Sequence, residues 1–183
     1  MRHSILVPSG TSIGSIMNLY HRWKPAMHRQ QILKSSPIPF AFRISYLANF
    51  FTGSVYRDVG QQFGVARSEY VILFCLQQLG KLTAQDICDI TGRPKNSVSR
   101  AVNALLTRGL IARQTDPQDA RRALLNLTRS GQSLHDAAIH LFKEREEAML
   151  APLTEEERET LDTILAKLVL RDDDWSGPLS EDL

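Results

Sequence analysis

The clearest alternation of apolar and polar positions lies between Pro94 and Thr107. If this stretch is helical, at about 100° per residue, its apolar and polar side chains separate onto opposite sides. The apolar side comprises Val98, Ala101, Val102, Leu105 and Leu106, and the polar side comprises Asn96, Ser99, Arg100, Asn103 and Thr107. The pattern therefore predicts an amphipathic helix whose apolar side packs on a core.

The polar side of this helix consists of short amides, hydroxyls and one arginine, which are the groups that read base edges in a major groove. A solvated helix face is the alternative interpretation. Solvated faces are typically rich in Glu and Lys, whereas Pro94–Thr107 contains no acidic residue. A helix with two cations, Lys95 and Arg100, and no carboxylate suits a polyanion.

A shorter helix is expected just upstream. The hydroxyl of Thr83 can cap the backbone N–H groups that open it, and Asp86 favours the same end of the helix dipole. Ile87 and Ile90 supply its inward face. Gly92 lies in the three-residue turn that follows, where it can adopt the left-handed conformation. Helix, short turn and helix is the spacing of a helix-turn-helix unit.

A β-hairpin is predicted after the second helix, with strands at Leu110–Arg113 and Arg122–Leu127 and a turn at Asp116–Asp119. In the returning strand, alternate residues point to opposite sides of the hairpin. One side would carry Ala123, Leu125 and Leu127, and the other Leu124 and Asn126.

The tip of this hairpin carries Arg121 and Arg122. Long cations on a protruding tip fit a minor groove or a phosphate contact, although an ordinary exposed turn is the alternative. Asp119 is placed to hold the Arg121 side chain rather than to meet DNA.

These segments resemble the MarR family of winged helix-turn-helix transcriptional regulators. The resemblance rests on the run Asn96–Arg100, on Leu105–Ile111, on the wing Asp116–Thr128 and on Gly131 where helix resumes. It covers roughly residues 40 to 170.

The resemblance implies that Asn96, Ser97, Ser99 and Arg100 face the major groove and that Arg121 is the wing-tip arginine, steadied by Asp119. Ala120 stands where the family often carries a basic or small residue, and Arg122 would compensate for it. The full set of expected DNA-binding residues is Arg93, Lys95, Asn96, Ser97, Ser99, Arg100, Asn103, Arg121 and Arg122, with Asp119 as wing support.

The distribution of charge supports this interpretation. Residues 65–130 carry ten basic and five acidic side chains, whereas residues 131–183 carry five and fourteen. The acidic C-terminal region would be repelled by DNA and is expected to lie away from it. A dimerisation base would satisfy this requirement.

The flanking helices fit such a base. Helices are expected over Phe40–Phe63, after a cap at Ser68, over Arg129–Leu150, and from Thr154, where Thr154 and Glu157 form a capping box. Together they expose more apolar surface than one small domain can bury, so a homodimer with interleaved terminal helices is expected. It would also present two reading helices about 34 Å apart to a near-palindromic site.

The expected fold class is mainly α with a small β-hairpin wing (α+β), a winged helix-turn-helix with N- and C-terminal dimerisation helices. The expected organisation is an N-terminal extension (1–39), a dimerisation helix (40–64), the DNA-binding domain (65–130), C-terminal dimerisation helices (131–171) and an acidic tail (172–183). Leu19–Leu33 could be helical on either side of Pro25, either swapping onto a partner subunit or adding phosphate contacts. A disordered arm is the alternative.

The resemblance also implies release of DNA by a small aromatic carboxylate or phenol. An Arg beside several aromatic rings could hold such a ligand, although a packed aromatic core is the alternative interpretation. The candidate residues are Arg43, Tyr46, Phe50, Tyr56, Phe63, Tyr70 and Phe74. Thiol sensing is a further route in the family. It usually needs a reactive Cys on the first long helix, and Phe40–Phe63 contains none. Cys75 and Cys88 lack a neighbouring cation in sequence that would lower the pKa of the thiol.

Other functional classes find little support. The five His residues offer no helical metal pair, since His135 and His140 are five apart, and the chain has no Gly-rich phosphate loop. We therefore expect no catalytic site, metal or cofactor.

A winged helix used only for protein contact remains the alternative class. The longest apolar run, Tyr70–Leu76, is too short to cross a bilayer, so we expect a cytoplasmic protein without a membrane partner. The family resemblance implies a bacterial or archaeal origin.

Overall fold

Seven helices and a two-stranded antiparallel sheet occupy the described part of the chain, which in this computed structural model comprises residues 28–117, 119 and 121–171. The elements are α1 (residues 28–35), α2 (Pro39–Phe63), α3 (Arg67–Leu79), α4 (Ala84–Thr91), α5 (Lys95–Thr107), β1 (Ile111–Thr115), β2 (Ala123–Leu127), α6 (Arg129–Leu150) and α7 (Glu155–Val169). The predicted fold class, mainly α with a β-hairpin wing, is confirmed. The chain divides into two compact units, Met1–Phe50 and Phe51–Leu183.

The first unit contains α1 and the beginning of α2. The Arg43 guanidinium donates to the carbonyls of Leu33 at 3.3 Å and Pro39 at 3.0 Å, and Arg29 donates to the Tyr46 hydroxyl at 2.9 Å. Of the helix expected over Leu19–Leu33, residues 19–27 lie outside the described residues, as does the tail 172–183. Most apolar side chains in the described part of this unit, residues 28–50, are exposed, among them Ile38, Phe40, Ile44, Leu47 and Phe50.

The core of the second unit lies where α3, α5, α6 and the sheet meet. The predicted apolar side of α5 is confirmed, because Val98, Ala101, Val102 and Leu105 are buried and Leu106 is half-buried. The largest side chains that are fully buried are Tyr70, Ile72, Leu73, Ile87, Leu105 and Leu125.

Two predicted helix caps are confirmed. The Thr83 hydroxyl accepts from the Asp86 N–H at 3.1 Å while Asp86 accepts from the Thr83 N–H at 2.7 Å, so the pair forms a capping box. Thr154 and Glu157 form the same reciprocal pair, at 3.3 and 2.8 Å. Gly92 ends α4 with a φ of 62°, as the turn requires.

Two local predictions were wrong. Ser68 does not cap α3, which begins one residue earlier after Ala66, and Glu69 instead accepts from the Ala66 N–H at 3.0 Å. Ile90, in the last turn of the eight-residue helix α4, is 50% exposed rather than inward-facing. Ala123 keeps its predicted place in the alternation of β2, and it is exposed because it lies at the end of the strand nearest the hairpin tip.

The sheet pairs Ile111 with Leu127 and Thr115 with Ala123 at its two ends. Leu82, just before α4, adds an isolated bridge to Leu125, with hydrogen bonds of 3.2 and 2.7 Å in the two directions. The backbone before α4 is thereby fixed to the hairpin, and Leu125 is fully buried beneath this bridge.

The start of α6 is packed closely against the end of α5. The Thr128 hydroxyl accepts from the Gly131 N–H at 3.1 Å and donates to the carbonyls of Gly109 and Leu110 at 2.7 and 3.1 Å. A Cβ added at Gly131 would overlap the carbonyl oxygen of Leu110. Only glycine therefore fits this position.

Candidate nucleic-acid interface

Helix α5, the predicted reading helix, presents its polar side to solvent. Asn96, Ser99, Arg100 and Asn103 are exposed and Ser97 is half-buried. Arg100 is partly held by its own helix, since its Nε donates to the Asn96 carbonyl at 3.4 Å. Lys95 is exposed and Arg93 half-buried at the start of the helix, so this end is cationic.

Pro94 precedes α5 as its N-cap residue rather than lying inside the first turn. Its carbonyl accepts from the N–H groups of Ser97 and Val98, at 2.9 and 3.2 Å. The N–H groups of Lys95 and Asn96 lie in the first turn, where a helix offers no acceptor, and Arg93 and Lys95 lie at the same end, an arrangement that favours anions.

The wing comprises β1, β2 and the turn between them, residues 116–122. Asp119 accepts a hydrogen bond from the Arg121 backbone N–H at 2.9 Å, and the Arg122 N–H donates to the Asp119 carbonyl at 2.9 Å. Asp119 thus shapes the turn backbone, and the prediction that its side chain holds the Arg121 guanidinium was wrong. Arg121 and Arg122 are both exposed; Gln118 and Ala120 lie outside the described residues.

Arg122 differs from Arg121 because it has an acidic partner. Its Nη2 lies 3.8 Å from Oδ1 of Asp86, the capping residue of α4. Hydrogen bonds from the Thr83 N–H and hydroxyl, together with the charge of Arg122, hold the pKa of Asp86 below its usual value. The start of α4 and the wing border a groove of ≈ 390 Å³. Its lining residues are Thr83, Ala84, Gln85, Asp86, Arg121, Arg122 and Ala123.

A family model described as the MarR family matches residues 63–122 of this chain. The crystal structure of a MarR/EmrR family transcriptional regulator from Acinetobacter sp. ADP1 is 31% identical, with a TM-score of 0.65, and the match covers 73% of this chain and 94% of that chain. The chain belongs to the MarR family. It is therefore a DNA-binding transcriptional regulator rather than an enzyme.

Two further relatives of this MarR-family chain are informative. The crystal structure of a MepR–DNA complex from Staphylococcus aureus is 28% identical, with a TM-score of 0.63, and the match covers 74% of this chain and 97% of that one. The HTH-type transcriptional repressor NicR from Pseudomonas putida is 27% identical over 105 residues, which are 57% of this chain and 66% of NicR.

A second feature of this MarR-family chain is an aromatic cluster formed by Tyr56, Tyr70, His135 and Phe142, in which Tyr70 and His135 are buried and the other two are half-buried. Tyr70 stacks on Phe142 with ring centroids 4.6 Å apart, and Tyr56 meets Phe142 edge-on at 5.4 Å. His135 stacks on Tyr70 at 5.8 Å, and the Arg67 guanidinium lies 5.2 Å from the Tyr56 ring centroid. The cluster therefore joins α2, α3 and α6.

The seven candidate ligand-binding residues are distributed over both units. Arg43, Tyr46 and Phe50 belong to the first unit, where Tyr46 stacks on Phe50 at 4.5 Å. Tyr56 and Tyr70 are in the aromatic cluster, while Phe63 packs on the core and Phe74 is 42% exposed.

The α6 side of this cluster was not among the residues predicted from the sequence. His135 and Phe142 are seven residues apart and so lie on one helix face, a signal that was available in the sequence.

The cluster contains two buried polar atoms, the Tyr70 hydroxyl and His135 Nδ1, that have no hydrogen-bond partner among the described residues. Burial raises the pKa of Tyr70 and also that of Tyr56, where the Arg67 charge opposes it. Burial lowers the pKa of His135 below 6.5, and the neighbouring Asp136 opposes this shift. The folded chain therefore favours neutral side chains at these positions.

We expect the stability of the protein to fall as the pH drops below 6.5. Below pH 6.5 the unfolded chain takes up a proton at His135, while the folded chain, in which the pKa of His135 is lower, does not. The stability contributed by neutral His135 is therefore fully present above pH 6.5 and is lost as the pH falls toward the pKa of the folded chain. Urea unfolding at a series of pH values measures this effect. His135→Phe keeps the stacked ring without the titrating group and should flatten the dependence in this window; an unchanged dependence would assign it to other groups.

The cysteines are both free, with Cys75 buried and Cys88 half-buried. Burial raises the pKa of Cys75 more than the Arg93 charge lowers it, which disfavours the reactive thiolate. Within the described residues no group of three His, Cys, Asp or Glu side chains is placed to hold a metal ion, and none of the helices has the length and apolar character needed to cross a membrane.

Proposed function

We propose that this chain is a homodimeric, sequence-specific repressor that binds a pseudo-palindromic operator in a bacterial or archaeal cytoplasm and is released by a small aromatic ligand. The observation that carries this proposal is the exposed, acid-free polar side of α5 beside a wing tipped with two arginines. Likeness to a regulator solved with DNA and to a relative named as a repressor supports it.

In this proposal α5 enters the major groove with Asn96, Ser97, Ser99, Arg100 and Asn103 toward the base edges. Arg93 and Lys95 contact phosphates at the start of the helix. Arg121 reaches the minor groove or a phosphate from the wing tip. Arg122 is proposed to link the wing to α4 rather than to contact DNA, because its guanidinium is paired with Asp86.

The proposed homodimer is supported by exposed apolar side chains in each unit. Exposed apolar patches of this kind mark interaction surfaces, and a second copy would cover them while presenting two reading helices. In the first unit they lie on α2 and include Phe40, Ile44, Leu47 and Phe50. In the second unit they lie on and just after α7 and include Ile164, Leu165, Leu168, Val169 and Leu170.

The proposed effector is a small aromatic acid or phenol. The support is chemical: an apolar ring environment with a few convergent polar groups and a nearby arginine suits such a ligand. In the second unit the aromatic cluster offers these features through Tyr56, Tyr70, His135 and Arg67. In the first unit Arg43, Tyr46 and Phe50 remain candidates.

Two other functions are less well supported. A winged helix used only for protein contact would not need an acid-free reading helix. A thiol-sensing regulator would need an accessible thiolate, whereas Cys75 is buried with a raised pKa.

Binding to the DNA upstream of the chain's own gene tests the proposal. Fluorescence anisotropy across a salt series should show an affinity that falls steeply as salt rises, because phosphate contacts release counterions. Light scattering after gel filtration should give the mass of a dimer, and a screen of aromatic acids should find one that lowers the affinity. If the purified protein shows no salt-sensitive affinity for this DNA, the proposal fails.

Arg121→Ala should weaken binding to every duplex by a similar factor, about tenfold, and reduce the salt slope by about one for each subunit. The reason is that Arg121 has no acidic partner among the described residues and its charge is available to DNA. Arg122→Ala is the matched comparison and should change the salt slope less, since that charge is already paired. Equal slopes for the two variants would contradict the distinction.

A further inference from the structure

Arg108 lies immediately after the reading helix, and its guanidinium forms hydrogen bonds with other parts of the chain. Its Nη1 donates to the Gly64 carbonyl at 2.9 Å, and its Nη2 donates to the Phe63 carbonyl at 3.3 Å. Nη1 also lies 3.4 Å from Glu69 Oε2. One side chain thus connects the end of α5 to the end of α2 and the beginning of α3.

Each of these acceptors suits an arginine. Phe63 and Gly64 lie at the C-terminal end of α2, where carbonyls lack helical donors and the helix dipole favours a cation. A planar guanidinium can serve several acceptors at once, which a lysine ammonium cannot do with the same geometry. The three contacts define the Arg108 junction.

Glu69 strengthens the Arg108 junction because its carboxylate has two partners. Oε2 accepts from the Ala66 N–H at 3.0 Å as well as facing Arg108, and the Glu69 side chain is 14% exposed while that of Arg108 is 37% exposed. A partly buried pair is screened less than a surface pair. The charge of Arg108 is therefore engaged within the protein, whereas Lys95, Arg100 and Arg121 have no acidic partner in the described part of the chain.

We propose that Arg108 is a positioning residue that docks the end of the reading helix on the α2–α3 connection and so sets how α5 meets the bases, without itself contacting DNA. This inference rests on the proposed function, because it concerns the same reading helix. It adds a route by which a shift of α2 changes DNA recognition: the carbonyls of Phe63 and Gly64 move with α2, and Arg108 moves with them.

The test compares binding to the operator and to a scrambled duplex across a salt series. Arg108→Gln should lower the ratio of operator to scrambled affinity by roughly tenfold while leaving the salt slope unchanged. Arg108→Lys keeps the charge but not the planar fork, so it should restore little of the ratio. Glu69→Gln keeps an acceptor for the Ala66 N–H and should lower the ratio less. The double variant should be no worse than Arg108→Gln, since both changes disrupt one junction.

Two controls separate the alternatives. Lys95→Gln removes a proposed phosphate contact and should lower the salt slope and both affinities together. Cys75→Ala removes buried sulfur on α3 and should lower thermal stability without changing the affinity ratio.

A fall in slope of about 0.9 per subunit in Arg108→Gln would make Arg108 a DNA contact and overturn the inference. An unchanged affinity ratio in Arg108→Gln, or full rescue by Arg108→Lys, would overturn it too. If Arg108→Gln does not fold, an unchanged ratio in Glu69→Gln overturns it in the same way. Absence of salt-sensitive binding by the unaltered protein would instead count against the proposed function.

Discussion

Replacing Gly131 with Ala is expected to lower the free energy of unfolding by roughly 3 kcal/mol, at the upper end of the usual cost of overpacking. The new methyl would overlap the Leu110 carbonyl, which is backbone and cannot rotate away. Relief would require α6 to move from the end of α5, which would strain the hydrogen bonds of the Thr128 hydroxyl to Gly109 and Gly131. A loss of this size is a large share of the stability of an ordinary domain.

Urea unfolding followed by circular dichroism measures this loss. Gly53→Ala is the matched control, because Gly53 lies within α2 and a Cβ there meets nothing within 4 Å. That variant should be stabilised by up to about 1 kcal/mol through helix propensity. If Gly131→Ala were as stable as the unaltered protein, this result would contradict the close contact between Gly131 and the Leu110 carbonyl.

The second large effect is expected for Arg100→Ala, which should weaken operator binding by about 2–6 kcal/mol. A base-reading contact is worth about 1–3 kcal/mol, and the proposed homodimer would present it twice. The corresponding loss of affinity is roughly 30-fold to 10⁴-fold. The exposed position of Arg100 on the acid-free side of α5, held lightly by the Asn96 carbonyl, is the physical basis for this expectation.

Anisotropy with operator and scrambled duplexes distinguishes base reading from general attraction. Arg100→Ala should reduce operator affinity more than scrambled affinity, and Arg100→Lys should retain the scrambled affinity because it keeps the charge. Equal losses on both duplexes in Arg100→Ala would place Arg100 on a phosphate rather than a base.

Much of the fold could be predicted because local signals and core packing agree. The Thr83 and Thr154 caps, the bounds of α6 and the buried side of α5 each depend on residues within a turn or two of one another. The polar side of α5 followed from the same periodicity, so the exposure of its candidate DNA-binding residues was also predictable.

The remaining features depend on contacts between residues that are distant in sequence. Nothing near Arg108 indicates that its guanidinium meets carbonyls 44 and 45 residues earlier, and nothing near Asp86 indicates a partner on the wing. These partners are set by tertiary packing. The Ser68 prediction failed for a local reason instead: Glu69 accepts from the Ala66 N–H, so the helix is capped at Ala66, two residues before Ser68.

The attachment of the wing has a consequence for exchanging parts between relatives. The backbone bridge from Leu82 to Leu125 and the ion pair from Asp86 to Arg122 place the attachment points of the hairpin before and within α4. A chimera that imports only the hairpin of a homologue would separate it from both attachments. The smallest segment that can be exchanged with both attachments intact is therefore residues 82–128. In a chimera with a shorter segment, the hairpin should not keep the orientation that it has in the donor protein.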